Sequence, residues 1–490
     1  MSTPLSAAPA ITLVFGASGY IGTHLVPALQ AAGHSVRAAA RNRNVLAARG
    51  WAGVALVEAD ALRPDTLPAA LAGVHTAYYL VHSMAAGRDF GALDLQAASH
   101  FAQAAAAAGV QHIVYLGGLV PPGADSEHLL SRQQTGERLR AGTVPVTELR
   151  AGVIVGPGSA AYEVMRDLVY HLPLMVTPRW VQSRSSPIAL QNLIEYLLRL
   201  PPLTLQAHPP GGLFEAGGPE LLTYETMMRQ FGEVVGKRPR IVPVPLLTPR
   251  LSSYWLGLIT AVPASIARAL IDGLKHDIPA DDAALRALVP QHLLTFRQAA
   301  EAALAAERSH QVPARWTEGA FALRRFRHDY AFYAKRASGQ GDSAAPPAAV
   351  WRVVSSLGGS TGYFTMNWIW RLRESIDWLL GGRGFTRGRR DSDALRLGDA
   401  IDYWTVVGLD PGHVLTLDFG LKAPGAGILE FTIEPRPGGG SRLNITAYWH
   451  PQGVWGLLYW LALVPFHLFI FKRMVHAILR RAEAQAATDA

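Results

Sequence analysis

The chain has 490 residues and no cysteine, so it is long enough for two or three domains, and disulfides, thiolate nucleophiles and cysteine-ligated metals are excluded. Hydrophobic residues make up 49% and charged residues 17%, which is apolar for a soluble protein but unlike a multi-span membrane protein. The net charge is +8, but no stretch of the chain is rich in lysine, and a nucleic-acid partner is therefore not predicted. The 17 histidines show no close metal-binding spacing, so a metal site is not predicted either. Residues 1–10 predict a disordered leader rather than a signal peptide, and hence a cytoplasmic location.

The first strong pattern is an apolar run, residues 11–15, that breaks at a Gly-x-x-Gly-x-x-Gly turn and continues into an amphipathic helix. The run predicts a strand buried on both faces of a parallel sheet. Gly16 permits the turn, Gly19 removes the Cβ that would hold a pyrophosphate off the backbone, and Gly22 lets the helix pack closely. The residues predicted to hold a dinucleotide here are Gly16, Ala17, Ser18, Gly19, Tyr20, Ile21 and Gly22.

The next strand, residues 35–40, ends where dinucleotide folds select their cofactor. An acid there binds the ribose 2′-hydroxyl, whereas an arginine accommodates a 2′-phosphate. No Asp or Glu occurs between Gly22 and Glu58, and Arg41 and Arg43 stand at the selecting position. The sequence therefore predicts NADP(H) in preference to NAD(H), with ordinary surface arginines as the alternative.

Further predicted strands at 54–58, 76–81 and 113–116 alternate with helices, including one over 90–108. This alternation predicts an α/β fold with a doubly wound parallel sheet of the Rossmann type. Ligands of such sheets lie beyond the carboxyl ends of the strands. The residues expected to border the cofactor there are Asp60, His82, Ser83, Gly117 and Gly118.

The chain over about residues 11–305 resembles the extended and atypical short-chain dehydrogenase/reductases, particularly the NmrA-like branch and relatives of the complex I accessory subunit. Later segments that match are 149–156, 186–189 and 214–219. The resemblance implies that the glycine turn holds the pyrophosphate, that Asp60 binds the adenine, and that Leu80, Val81 and His82 line the ribose and nicotinamide. It also implies a small C-terminal lobe, around 241–278, that forms the substrate pocket.

Reductases of this superfamily use a Tyr-x-x-x-Lys pair as a tuned proton donor, and this chain departs from that pattern. Aligning Glu137 with the glutamate of the family's helix places Leu129 at the tyrosine and Gln133 at the lysine. The candidate replacement acid pair is His82 and Ser83. A histidine that only bonds backbone is the alternative.

A small, polar, proline-containing stretch predicts a linker over 306–347, and residues 348–490 then form a separate domain. Four strand patterns, at 401–407, 413–419, 427–433 and 442–449, predict an antiparallel sheet, which a long apolar helix over 453–484 follows. This order resembles the α+β helix-grip fold of START-like proteins.

Residues 453–471 contain no charged side chain and are followed by Lys472 and Arg473. Three interpretations stay open: a helix that covers the sheet, a helix that also touches a membrane surface, and a true membrane span. The sequence as a whole predicts an NADP(H)-binding oxidoreductase-like protein acting on an apolar, quinone- or lipid-like substrate. The alternatives are a non-catalytic nucleotide redox sensor or assembly scaffold, and a lipid or quinone carrier.

Overall fold

The computed structural model describes residues 10–47, 49–82, 90–121, 123–124, 126–244, 276–308, 334–359, 361–379, 395–420, 423–437 and 439–489. They divide into two compact units, residues 10–308 apart from 170–172, and the remainder. The predicted leader, Ser83 and most of the predicted lobe, residues 245–275, lie outside the described residues.

The strands of the first unit are β1 (Ile11–Phe15), β2 (Ser35–Ala40), β3 (Ala55–Glu58), β4 (Val74–Tyr79), β5 (His112–Gly118), β6 (Val146–Ala151), β7 (Ile154–Val155), β8 (Leu174–Pro178), β9 (Arg184–Ser185), β10 (Ile188–Ala189), β11 (Gly212–Ala216), β12 (Leu222–Thr223) and β13 (Arg240–Val244). Its helices are α1 (Tyr20–Ala31), α2 (Arg43–Ala47), α3 (Leu67–Leu71), α4 (Phe90–Ala107), α5 (Glu127–Arg140), α6 (Ala160–His171), α7 (Leu190–Leu205), α8 (Tyr224–Val234), α9 (Ala283–Leu288) and α10 (Phe296–Arg308).

Seven of these strands form one parallel sheet in the order β11-β6-β5-β4-β1-β2-β3. Its two faces are both buried: Leu13 and Val14, neighbours on β1, are fully buried in separate cores. Since successive side chains of a strand point to opposite faces, helices cover the sheet on both sides. The predicted doubly wound Rossmann fold is confirmed.

The segment 149–156, one of those in which the sequence resembles the family, forms two separate strands in the structure. β6 ends at Ala151, and β7 pairs in parallel with β10 outside the main sheet. The chain thus leaves the sheet at Gly152, where an added Cβ would lie 3.1 Å from a methyl carbon of Leu119.

The second unit contains β14 (Lys335–Ser343), α11 (Pro347–Ser355), α12 (Asn367–Leu379), β15 (Ala400–Ile401), β16 (Trp404–Asp410), β17 (Val414–Phe419), β18 (Gly425–Pro435), β19 (Ser441–Pro451) and α13 (Gly453–Asp489). Its six strands form an antiparallel sheet in the order β14-β19-β18-β17-β16-β15. One face packs against α11 and the second half of α13, where Met474, Ile478 and Ala482 are fully buried.

The predicted linker is wrong for residues 335–343, which form the edge strand β14 instead. Lys335 pairs with Trp449 and Ser343 with Ser441, so the strand runs antiparallel to β19 along its whole length. Small residues were needed because α13 crosses here: a Cβ on Gly339 would lie 2.6 Å from the carbonyl carbon of Phe471. The composition that suggests a linker reflects close packing between a strand and a helix, and the second domain therefore begins before residue 348.

Among the described residues one helix, 453–488, is long and apolar enough to cross a membrane. Its most apolar 18-residue window has a mean hydropathy of 1.9, and 28% of that window is buried.

Candidate functional site

The glycine turn between β1 and α1 is tightly folded at its first and last glycine. Gly16 has φ +91°, and a Cβ there would lie 3.0 Å from the backbone carbon of Leu80. A Cβ on Gly22 would lie 2.7 Å from both the Cα of Ala17 and the carbonyl oxygen of Gly16. The turn itself therefore requires glycine at both positions.

Gly19 is less constrained by the surrounding protein than Gly16 and Gly22. It is exposed and caps α1 with φ −72° and ψ 171°, which any residue can adopt. Among the described residues, an added Cβ would meet only the carbonyl oxygen of Gly16, at 3.2 Å. The side of the turn that a Cβ would fill is therefore open, and it lies where the first N–H groups of a helix face outward. This cradle fits a diphosphate group.

The residues after β4 adjoin this turn. The Leu80 N–H donates to the Phe15 carbonyl at 2.9 Å, so the chain stays beside β1 beyond the strand's end. Leu80, Val81 and His82 are half-buried there. They lie at the carboxyl edge of the sheet, as predicted from the sequence.

The other predicted cofactor residues follow neighbouring strands. Asp60 comes two residues after β3 and is half-buried, and its Oδ1 accepts from the Leu62 N–H at 3.0 Å. Gly117 lies within β5, one residue before its end, and a Cβ there would lie 3.3 Å from Glu148 Oε1. Gly117 therefore faces other protein groups, and the strand end is formed by Gly118.

Three arginines follow β2 in the sequence. Arg41 and Arg43 are exposed after the strand, which fits both the selecting role and the alternative of ordinary surface arginines. A third, Arg49, donates from a guanidinium nitrogen to the Ser18 carbonyl oxygen at 3.4 Å. Sequence reasoning missed it because it follows α2, nine residues after the strand. It brings positive charge to the glycine turn itself.

Beyond β4, four polar side chains form a hydrogen-bonded group that we name the His82 cluster: His82, Asp94, His128 and Ser131. His82 Nδ1 lies 2.6 Å from Asp94 Oδ2, and the same carboxylate oxygen accepts from Ser131 Oγ at 3.0 Å. His82 Nε2 lies 3.1 Å from His128 Nδ1. Three elements supply these groups: the end of β4, helix α4 and helix α5.

The cluster is largely removed from water. Asp94 and Ser131 are only 3% and 2% exposed. Burial lowers the pKa of His82 below its usual value, the nearby Arg132 guanidinium lowers it further, and Asp94 opposes both. Burial, Arg132 and His82 lower the pKa of His128 to about 2. Both imidazoles are therefore predominantly neutral near pH 7.

The neutral rings fix the direction of the hydrogen bonds. An ionised carboxylate only accepts, so His82 donates from Nδ1 to Asp94 and keeps Nε2 as an acceptor. His128 then donates from Nδ1 to His82 Nε2. The result is a continuous chain from a half-buried histidine to a buried carboxylate, an arrangement that can hold and move a proton.

The two positions where the family would carry tyrosine and lysine do not join this chain. Leu129 is buried in α5, and the amide nitrogen of Gln133 donates to Glu137 Oε1 at 2.9 Å. His128, the neighbour of Leu129, makes the contact with His82 instead. Asp94 and His128 were missed as site residues, although Asp94 is the only acidic residue in α4.

Comparison with protein families matched each unit separately. The model of the NmrA-like family matches residues 10–124, within the first unit. A family described as protein of unknown function (DUF2867) matches residues 329–474, within the second. Comparison with curated proteins gave no match.

Solved structures resemble the chain at low identity. A nucleoside-diphosphate-sugar epimerase from Staphylococcus aureus is 14% identical with a TM-score of 0.49, covering 60% of this chain and 99% of its own. The Citrobacter sp. triphenylmethane reductase complexed with NADP(H) is 20% identical with a TM-score of 0.49, covering 60% and 99%. The Bordetella bronchiseptica enzyme WbmG in complex with NAD is 16% identical with a TM-score of 0.46, covering 63% and 97%. At these identities the likeness is one of fold.

Proposed function

We propose that the first unit is an NADP(H)-binding oxidoreductase in which the His82 cluster handles the proton that accompanies hydride transfer. The observation that carries this proposal is the chain of hydrogen bonds from His128 through His82 to Asp94. His82 lies two residues after Leu80, whose backbone adjoins Gly16 of the glycine turn. The match of residues 10–124 to the NmrA-like family supports a nucleotide site at that turn.

The residues present fit a dinucleotide with a 2′-phosphate. The open side of Gly19 would admit the pyrophosphate, and Asp60 would reach the adenine end. Arg41 and Arg43 would meet the 2′-phosphate, with Arg49 adding charge beside Ser18. When bound, the nicotinamide supplies or accepts the hydride.

The protein's own part is the proton. Both ring nitrogens of His82 are engaged within the cluster, Nδ1 by Asp94 and Nε2 by half-buried His128, so a proton exchanged with the substrate passes through the His128 ring. In the reducing direction the protonated His82–His128 pair gives this proton to the substrate oxygen, and Asp94 stabilises the protonated pair through the 2.6 Å contact. In the oxidising direction the neutral pair accepts the proton.

For the substrate we propose an apolar molecule of the quinone or lipid class, held or delivered by the second unit. The support is the second unit's architecture, an antiparallel sheet covered by one long helix, which resembles the START-like helix-grip fold.

A second candidate, a nucleotide redox sensor without turnover, is favoured by one specific observation. The family's acid is replaced by buried Leu129, and the lysine position, Gln133, bonds to Glu137. In that case the His82 cluster is a structural network, and the nucleotide would bind without chemistry.

The test compares His82→Ala and Asp94→Asn with His75→Ala, which removes a histidine near the start of β4, the strand that precedes His82. Native mass spectrometry of each purified protein reports bound nucleotide, and NADPH oxidation with short-chain quinones reports turnover. An oxidoreductase loses turnover about 10²- to 10⁴-fold in the first two variants while retaining the nucleotide. Bound nucleotide with no turnover in any form would support the sensor, and an apolar ligand without nucleotide would support the carrier.

A further inference from the structure

Helix α13 carries an exposed apolar stripe that the proposed oxidoreductase site does not use. Its members follow one another at spacings of three or four residues, which places them on one helix face. They are Trp455, Leu458, Ala462, Phe466 and Phe469, all exposed. Trp455 is 72% exposed, and the stripe extends about 21 Å at 1.5 Å per residue.

The middle of the helix is less buried than the segments on either side of it. None of the nine residues 461–469 is buried, and Leu468, outside the stripe, is 70% exposed. An apolar surface of this extent marks an interaction site in a water-soluble domain.

The same helix face continues as a basic surface. Arg473, His476 and Arg480 extend the stripe at spacings of four, three and four, with Lys472 and Arg481 beside it, and all five are exposed. Residues 435–482 contain no Asp or Glu. The next acidic residue, Glu483, follows Arg480 at a spacing of three, and its Oε1 accepts from Ser343 Oγ at 2.7 Å. The exposed face is therefore apolar in its first part and predominantly cationic in its second.

Packing at both ends holds the helix on its own domain. The Trp449 indole N–H donates to the Gly456 carbonyl at 3.0 Å, and a Cβ on Gly456 would lie 2.1 Å from the Pro424 carbonyl oxygen. Farther along, the backbone at Phe471 lies against Gly339. Spanning a bilayer would require these contacts to break and Leu457 and Trp460, both buried, to be exposed.

We propose that this surface docks the second unit onto an anionic lipid bilayer, with the helix lying in the membrane interface. Trp and Phe side chains are favoured at the depth of the headgroups, and Leu side chains enter the acyl region. The five cationic or basic residues that follow outnumber the one acidic residue on that face, Glu483, and complement lipid phosphates. The helix is oriented by the sheet beneath it, so only the exposed side enters the lipid.

The test is flotation of the full-length protein with vesicles of phosphatidylcholine alone or of phosphatidylcholine and phosphatidylglycerol in equal amounts. One variant carries Trp455→Ser and Leu458→Ser, both within the stripe, and a second carries Lys472→Gln and Arg473→Gln. The matched control is Arg396→Gln with Leu397→Ser, elsewhere in the same unit. It removes one exposed cation and one leucine that is 65% exposed. All the altered side chains are exposed, so unchanged circular dichroism and melting temperature are expected.

The wild-type protein and the control should bind the anionic vesicles, and added salt should weaken the binding. Affinity should fall about five-fold for each cation removed, and the apolar variant should not float. Equal binding to neutral vesicles, or binding that resists alkaline carbonate, would overturn the proposal, the latter in favour of a span. Absence of flotation would also overturn the proposal. Sedimentation velocity would then test for a dimer, and a dimer that only the apolar variant loses would assign the surface to a second copy of the chain.

Discussion

Replacing Gly19 with aspartate should separate nucleotide binding from folding. Gly19 caps α1 in a conformation open to any residue, and its Cβ direction meets only one protein atom within 4 Å among the described residues. Aspartate is among the preferred residues at a helix N-cap, because its carboxylate accepts from the first free N–H groups. The variant should fold with a melting temperature equal to or above that of the wild type.

The same carboxylate would occupy the place proposed for the pyrophosphate. Two like charges about 4 Å apart repel by about 4 kcal/mol at an effective dielectric constant of 20, which corresponds to roughly a thousand-fold in Kd. Gly19→Asn matches the size of aspartate without its charge and should weaken binding less. Gly22→Ala should instead lower stability by about 1–3 kcal/mol, because its Cβ would lie 2.7 Å from backbone atoms.

Titration calorimetry with NADPH and thermal melting of the three variants provide the two measurements. Nucleotide affinity in Gly19→Asp equal to that of the wild type, together with normal folding, would refute the placement of the pyrophosphate at this turn. Loss of both binding and stability in Gly19→Asp would refute the reasoning that the position is open.

Three further outcomes are expected. Replacing both Arg41 and Arg43 with alanine should weaken the affinity for NADPH about ten- to a hundred-fold and leave the affinity for NADH unchanged, as measured by competition titration. An equal loss of affinity for both nucleotides would contradict the selecting role. In the reducing direction kcat/KM should rise as pH falls below neutrality, because burial lowers the pKa of both His82 and His128 and the protonated pair is the donor. A profile that increases with pH would exclude this role. Gly339→Val should lower the free energy of unfolding of the second unit in urea by about 1–3 kcal/mol, because its Cβ would lie 2.6 Å from the Phe471 backbone. The control Ser338→Val lies on the exposed side of β14 and should leave that free energy unchanged.

The glycine turn and the strands around it could be predicted because their signals are local. The apolar run before Gly16 and the helix after Gly22 lie within a dozen residues, and the strand ends that border the site follow from the parallel topology. For the same reason His82 could be placed at the sheet edge from the sequence alone.

The His82 cluster as a whole could not be predicted. Asp94 is 12 residues from His82, and His128 is 46 residues away, so only the packing of α4 and α5 brings them together. A single aspartate in an alanine-rich helix has no pattern that identifies its partner.

The error at β14 has a different origin. Glycine, serine and alanine usually indicate a flexible connection, but here they alternate along a strand at Ala337, Gly339 and Gly341, facing a helix that approaches closely. The period of two was present in the sequence. The helix against which these small residues pack lies more than a hundred residues later in the sequence.

The position of β14 also affects how the second unit can be made. Because β14 pairs with β19, about a hundred residues later, its partner leaves the ribosome only when most of the unit has been synthesised. Until then the early strand has no place in a sheet, and a fragment cut at residue 348 would leave β19 with a bare, hydrogen-bonding edge open to aggregation. Recombinant expression of the second unit by itself should therefore start before Lys335, and its yield should drop sharply when the start is moved past Ser343.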